Sequence, residues 1–471
     1  MSTTRREFVR AGLIGAGALS LGLLALSRYR SHRDQIQLTD LMGPLSPVRD
    51  DTTGIPLLLL PDGFSYLTMS WAGQKLHDGF YVPGNCDGMG VVRQDGHRVS
   101  LVRNHELTGS AGPLGDPLRA YDVTGGGTTT LVFDTEHRVL LDSWVSLGGT
   151  LNNCAGGVTP WNTWLSCEES FLPAATNQRP VSDRQRHWRT DHAEKPHGYV
   201  FEVPASGIAD PQPIAAMGQF YHEAVAVDPD SGIAYMTEDN APHAGFYRFK
   251  PTQPGKLNGG GRLQMMRVES GKDMRDGLPL RQEFDIDWVD IPEPEPRLTH
   301  GGDLATGVVR QGLASGGSSF VGLEGCIYDE QRVYFTSKTG GSAGAGYIFE
   351  HDVAAQTIRL VYESAGHTQL SGPDNITVSP RGSLLVCEDR VTSNKAAQQL
   401  AGLTRSGEMF RFCQVNPALR GLYAGHDLST SVLMAEWAGA TFSRDGDWLF
   451  CNLYSPGVTV AITGPWQQGL I

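Results

Sequence analysis

Asp374-Asn375-Ile376-Thr377-Val378-Ser379-Pro380-Arg381-Gly382-Ser383-Leu384-Leu385-Val386-Cys387-Glu388-Asp389 reads as one antiparallel hairpin: apolar alternation, a turn of Ser, Pro and Gly, then alternation again. Cys154 to Glu169 and Ala438 to Leu453 lie on it without a gap. Glu223 to Asp239 fits with one residue added in the turn, Glu324 to Lys338 with one removed, and Asp87 to Glu106 is a looser copy. The two ends of a hairpin sit side by side. Asp87/Glu106, Cys154/Glu168, Glu223/Glu238, Glu324 and Asp374/Glu388 are therefore expected on one rim, an arrangement of acids and one thiol that calls for cations.

Repeated short strands over most of 471 residues predict an all-β fold, a six-bladed β-propeller with decorating loops and short helices. Gly198–Val203, Gly245–Lys250, Gly346–His351 and Gly407–Phe412 each read as Gly followed by an aromatic-rich strand, expected to be the third strand of a blade. Pro213–Met217, Leu263–Val268 and Ile358–Tyr362 are candidates for the fourth. Phe171–Pro196 and Pro251–Ser319 read as insertions, the latter with a short helix near Asp303–Ala314. Nothing marks a second domain, so 31–471 is expected to be one propeller and the protein a monomer. A net charge of −13 argues against nucleic acid, whose phosphates call for basic patches.

Thr4-Arg5-Arg6-Glu7-Phe8 before the apolar run Ala11–Ser27 predicts a twin-arginine signal over residues 1–30, read by the Tat export machinery. The expected location is periplasmic, cell-envelope or secreted, with a residual N-terminal membrane anchor as the alternative to cleavage. Cys167, Cys387 and Cys451 share a repeat position with Thr237 and Thr336, which predicts small buried residues and not disulfide partners. Cys154 instead occupies the position of Glu223, Glu324 and Asp374. A thiolate among carboxylates suits a transition metal better than calcium alone. His105 in Asn104-His105-Glu106 is open to three roles: metal ligand, proton donor or structural hydrogen bonding. No nucleophile elbow, Walker loop or HExxH is present.

Asn-His-Glu (104–106), Asn153–Glu169 (NCAGGVTPWNTWLSCEE), Gly218–Asp228 (GQFYHEAVAVD), Thr237–Asp239, Leu323–Gly325 and Pro373–Asn375, together with the twin-arginine motif, resemble the PhoX family of alkaline phosphatases along most of the chain. The resemblance implies an axial cluster of ferric iron and calcium that hydrolyses phosphate monoesters. It implies Cys154, Glu223 and Glu324 as catalytic iron ligands. Glu106, Glu168, Glu238, Asp374, Asn375 and Glu388 follow as ligands of calcium or bridging positions. Gly322 and Gln219 stand where the family carries arginines, which leaves His105, Lys338 and Arg390 as candidate substrate contacts. Two other readings fit an acidic axial rim: a calcium-dependent propeller lactonase, and a non-catalytic propeller that uses metals as structural glue.

Overall fold

The computed structural model describes residues 40–109, 112–172, 192–295, 307–367, 369–389, 398–423, 426–428, 436–468 and 470–471. The N-terminal signal, most of the polar insertion after Phe171, and Arg390 lie outside them.

Every copy of the repeat is a hairpin. The inner and second strands are Cys86–Asp95 with Arg98–His105, Asn153–Val158 with Thr163–Glu168, and His222–Val227 with Ala234–Glu238. Leu323–Asp329 with Arg332–Ser337, Pro373–Val378 with Leu384–Glu388, and Trp437–Phe442 with Leu449–Leu453 complete the series. Turn chemistry closes them locally. In the Asp374–Asp389 copy, Arg381 N–H donates to Ser379 Oγ at 3.1 Å, and Gly382 supplies a φ of +105°.

All six inner strands share an irregularity near their start. Two residues are stepped on the second strand for every three on the inner one: Cys86 to Met89, Asn153 to Gly156, His222 to Val225, Leu323 to Cys326, Pro373 to Ile376 and Ala438 to Thr441. Such a bulge bends a strand and re-aims its side chains. It releases carbonyls from the ladder, and neighbouring hairpins recover them. Thr237 Oγ1 donates to Glu324 O, Thr336 Oγ1 to Asp374 O, Asn104 Nδ2 to Cys154 O and Asn452 Nδ2 to Asp87 O. The inner strands thus follow one another around an axis, each against the next and the last against the first. Small residues allow that approach: a Cβ on Gly157 would lie 1.7 Å from Val225 O.

The result is an all-β, propeller-like array, with sheets less uniform than the repeat predicted. Strand pairing groups the chain into sheets of six, three, nine, two, four and four strands. The nine-stranded sheet arises because Glu283–Asp290 pairs with both Gly261–Val268 and Thr357–Glu363, fusing two hairpins' sheets. The second hairpin's sheet has three strands, since Pro213 makes a lone bridge to Phe201 and a 3-10 turn follows at Ala215–Met217. Proline lacks the N–H that a full ladder needs. Met409–Val415 is the fourth strand of its sheet and not the third, because Gln399–Leu403 intervenes. The last hairpin's sheet is closed by Ser65–Met69, an early segment paired with Val458–Thr463.

Neighbouring hairpins' sheets meet through aromatic contacts such as Phe335 stacked on Phe246 at 4.1 Å, and Phe335 also stacks on Phe349 of its own sheet at 5.0 Å. Each fully buried side chain of this size contributes about 1.5–3 kcal/mol. All seven cysteines are buried and free. The helix expected near Asp303–Ala314 is observed at Gly307–Ala314.

Candidate metal centre

At one end of the axis each hairpin closes with one backbone hydrogen bond beyond its last paired residues. Glu106 N–H donates to Asn85 O, Glu169 to Asn152, Asp239 to Tyr221, Lys338 to Gly322, Asp389 to Gly372 and Tyr454 to Glu436, at 2.8–3.2 Å. These residues form a rim. Just inside it, at the bulges, stand Asp87, Cys154, Glu223, Glu324 and Asp374, with Ala438 in the sixth hairpin.

Three groups of side chains bring ligand atoms within 4.8 Å of one another: Cys154–Glu169–Glu223, Glu223–Glu324–Asp374 and Asp374–Asp389–Glu436. Glu223 and Asp374 each belong to two groups, so one thiol and six carboxylates form a continuous chain. Below them the axis narrows to a cavity of about 130 Å³ lined by such residues as Gly88, Gly157, Gly325 and Ala440, with no carboxylate. The charge is confined to the rim.

The electrostatics are those of an anion cluster short of positive charge. Burial, then the neighbouring acids, push the carboxyls of Asp87, Glu223, Glu324 and Glu436 above their ordinary range. Asp374 is pushed up to about 6, burial being the largest cause. Burial and the charge of Glu223 push the Cys154 thiol up, and its Sγ faces His222 O at 3.3 Å. Glu324 Oε1 is buried without a hydrogen-bond partner among the described residues. Among the described residues, Lys338 is the cation within the cluster. Its Nζ lies 3.9 Å from Glu324 Oε1, 3.6 Å from Asp374 Oδ2, and in direct contact with Asp389 Oδ2.

Several predicted ligands stand elsewhere. Glu168 accepts from Leu151 N–H at 2.8 Å, Gly198 N–H at 2.7 Å, Tyr199 N–H at 3.1 Å and His197 Nδ1 at 2.7 Å. Glu238 accepts from Gly245 N–H at 2.9 Å and Tyr247 Oη–H at 2.6 Å. Glu388 accepts from Ser371 N–H at 2.9 Å and Gln399 N–H at 3.2 Å. These three carboxylates tie the second strand to the segment that follows it, and their lone pairs face those donors. Side chains alternate along a strand, so the next residue in each case turns to the rim. Glu169, Asp239 and Asp389 take the places expected of Glu168, Glu238 and Glu388.

His105 occupies the same tether position in the first hairpin, with Nδ1 on Gly84 O and Nε2 on Thr129 Oγ1, both at 2.9 Å. Both ring nitrogens are thereby engaged within the first hairpin's sheet and its approach. Asn375 donates to Asp374 Oδ1 at 2.8 Å and accepts from Gly439 N–H at 2.7 Å, joining the fifth and sixth hairpins. Glu106 is on the rim but outside the three groups, where Asn152 Nδ2 bridges it to Glu169 at 2.9 and 3.2 Å. Gln219 is buried and donates to Leu172 O and His197 O. A Cβ at Gly322 would lie 3.0 Å from Thr339 Oγ1 and 3.7 Å from Asp239 Oδ1. Glu436 escaped the repeat alignment because it precedes the sixth copy. The signal that finds it is its equivalence to Gly322 and Gly372.

The donor set can be compared with known proteins. The chain matches the family described as Alkaline phosphatase PhoX over residues 42–132 and 118–457. No curated protein matches it by sequence. Among solved structures it is similar to PhoX of Pseudomonas fluorescens in complex with vanadate, a transition state analogue. That likeness is 18% identity, 90% of this chain and 98% of that one, at a TM-score of 0.60. A weaker likeness, to the PQQ domain of a pyranose dehydrogenase from Coprinopsis cinerea, has 11% identity over 88% of this chain and 98% of that one at a TM-score of 0.36.

Proposed function

Since this chain belongs to the PhoX family of alkaline phosphatases, we propose that its axial rim is the centre at which phosphate monoesters are hydrolysed, with iron held near Cys154 and calcium among the remaining carboxylates. Membership makes the chain a metal-dependent phosphatase. The observation that carries the assignment of the site is the chain of three ligand groups linked through Glu223 and Asp374.

The residues fit metal ions on their own chemistry. Glu324 Oε1 is buried without a hydrogen bond and meets a cation only at 3.9 Å, in Lys338 Nζ, so it retains a lone pair that a metal ion can use. Cys154 contributes a thiol where the other bulges contribute oxygen, which favours a transition metal at that end of the chain. Cys154, Glu169 and Glu223 would hold one ion, Glu223, Glu324 and Asp374 a second, with Asp374, Asp389 and Glu436 completing the run. Bound metals supply Lewis acidity for the phosphoryl oxygens and an activated water for attack, so no side-chain nucleophile is required.

The protein's own part is to fix these donors and to concentrate them. The bulges aim the inner carboxylates, and the rim hydrogen bonds hold the ends of each hairpin together. Glu168, Glu238 and Glu388 lock the strands behind them. Since the carboxylates stand at the rim and none lines the axial cavity below it, a phosphoester reaches the cluster from the rim.

The wider reading is a single six-bladed propeller over residues 31–471, the fused sheets being counted by their hairpins. It is exported by the twin-arginine route to the cell envelope and works as a monomer. The decisive experiment is Glu223→Ala, measured by elemental analysis and by phosphate release from a monoester. Loss of metal and activity together is expected, and full activity in a folded, metal-poor variant would refute the site.

A further inference from the structure

Six equivalent positions close the hairpins at the rim: Glu106, Glu169, Asp239, Lys338, Asp389 and Tyr454. Four are carboxylates, one is a phenol, and one carries the opposite charge. The exception is not turned out to solvent. Lys338 Nζ reaches its own hairpin's Glu324 at 3.9 Å and the next hairpin's Asp374 at 3.6 Å, and it contacts Asp389 directly. Its stem passes over Gly372, where a Cβ would lie 3.4 Å from Lys338 Cγ.

Those three carboxylates span two of the ligand groups. Glu324 and Asp374 belong to the second, Asp374 and Asp389 to the third. An ammonium held between them takes up lone pairs that a divalent ion would otherwise use.

We propose that Lys338 is a built-in cation, its ammonium standing in place of one metal ion between Glu324, Asp374 and Asp389, so that this chain loads one ion fewer than its carboxylates could hold. The inference rests on the reading of the rim as a metal centre and deepens it. A compact ammonium on a flexible stem can fill a three-acid site as a point charge. It supplies neutralisation without Lewis acidity, which leaves the remaining ions to do the chemistry.

The test is to count ions per folded chain by elemental analysis of wild type, Lys338→Met and Lys338→Arg, each loaded with ferric iron and calcium. Lys338→Met is expected to gain one calcium ion relative to wild type, and Lys338→Arg to gain none. Equal counts in wild type and Lys338→Met, with weaker inhibition by inorganic phosphate in the latter, would overturn the proposal and make Lys338 a substrate contact. If Lys338→Met folds only on addition of calcium, the ion has taken the ammonium's place. If it stays unfolded at saturating calcium, the proposal fails. Absence of bound metal from wild type itself would refute the centre, a result distinct from equal counts.

Discussion

Glu168 and Glu169 are neighbours along the chain and opposites in surroundings. Four donors converge on Glu168, one of them the His197 imidazole, which is itself held between Glu168 and Asp122. Glu169 faces Cys154 and Glu223, where acids outnumber donors. The same division recurs at Glu238/Asp239 and Glu388/Asp389. A carboxylate is thus neither structural nor functional by type. What decides is whether backbone N–H groups converge on it or it stands at the cluster, as Glu169 does beside Cys154 and Asp389 against Lys338.

That contrast can be broken most severely from the tether side. Glu168→Ala leaves His197, whose pKa is raised to about 9 by Glu168 and Asp122 against the pull of burial, short of one partner. Breaking a buried pair of this kind costs about 3–5 kcal/mol. Chemical denaturation should show that loss, with metal content per folded chain unchanged. A variant that folds normally but loads no metal would reverse the assignment.

From the rim side, Glu169→Gln should keep stability close to wild type. Its expected effect is a loss of metal affinity on the order of 10–100-fold or more, as for removal of groups that position or form a metal site. Titration of the stripped protein with iron and calcium reads it directly.

Stripping the metals should also set the pH dependence of folding. The carboxyls of Asp87, Glu106, Glu223, Glu324 and Glu436 have folded pKa values raised above their unfolded ones by burial, and that of Asp374 is raised to about 6. Raised acids bind more protons folded than unfolded, so their contribution is present below the unfolded value near 4 and is lost as pH rises through the folded value. The chelated protein should therefore melt at lower temperature at pH 8 than at pH 5, and added calcium should restore more at pH 8. A melting temperature that rises with pH in chelator would mean that the rim is neutralised by something other than metal.

The smallest effect tests the scaffold between hairpins. Thr237→Val removes the hydroxyl that serves Glu324 O at the bulge. The expected loss is about 1 kcal/mol. Activity should fall only in so far as Glu324 is re-aimed, which the metal affinity would show.

The fold was legible because the hairpin repeat is a local pattern, written in alternation and turn residues that survive in each copy. Sheet composition was not. Whether Glu283–Asp290 joins one sheet or two depends on contacts far apart in sequence, and Pro213 spoils a ladder that hydrophobicity alone suggests. Within the site, Cys154, Glu223, Glu324 and Asp374 could be placed because a bulge at a fixed register leaves the inner residue aimed at the axis. The second ring was misread by one residue at Glu168, Glu238 and Glu388, although Glu106 in the first hairpin stood at the rim position. His105 beside it held the clue: a residue that fills the tether place with imidazole shows which of the pair faces inward. Asn375 was misjudged for a different reason, since its amide serves a backbone N–H that no repeat alignment can reveal.

The pairing of Ser65–Met69 with Val458–Thr463 gives the centre a place in time as well as in space. Ligands are spread from Cys154 to Glu436, and the ring holding them shuts only when an early strand meets a late one. Contacts so distant in sequence form slowly and together. A nascent or truncated chain owns most of the donors and none of the finished geometry. Full occupancy of the proposed centre would accordingly be a certificate of completion: a complete set of ions there would report that translation has passed residue 463 and that the circle has closed.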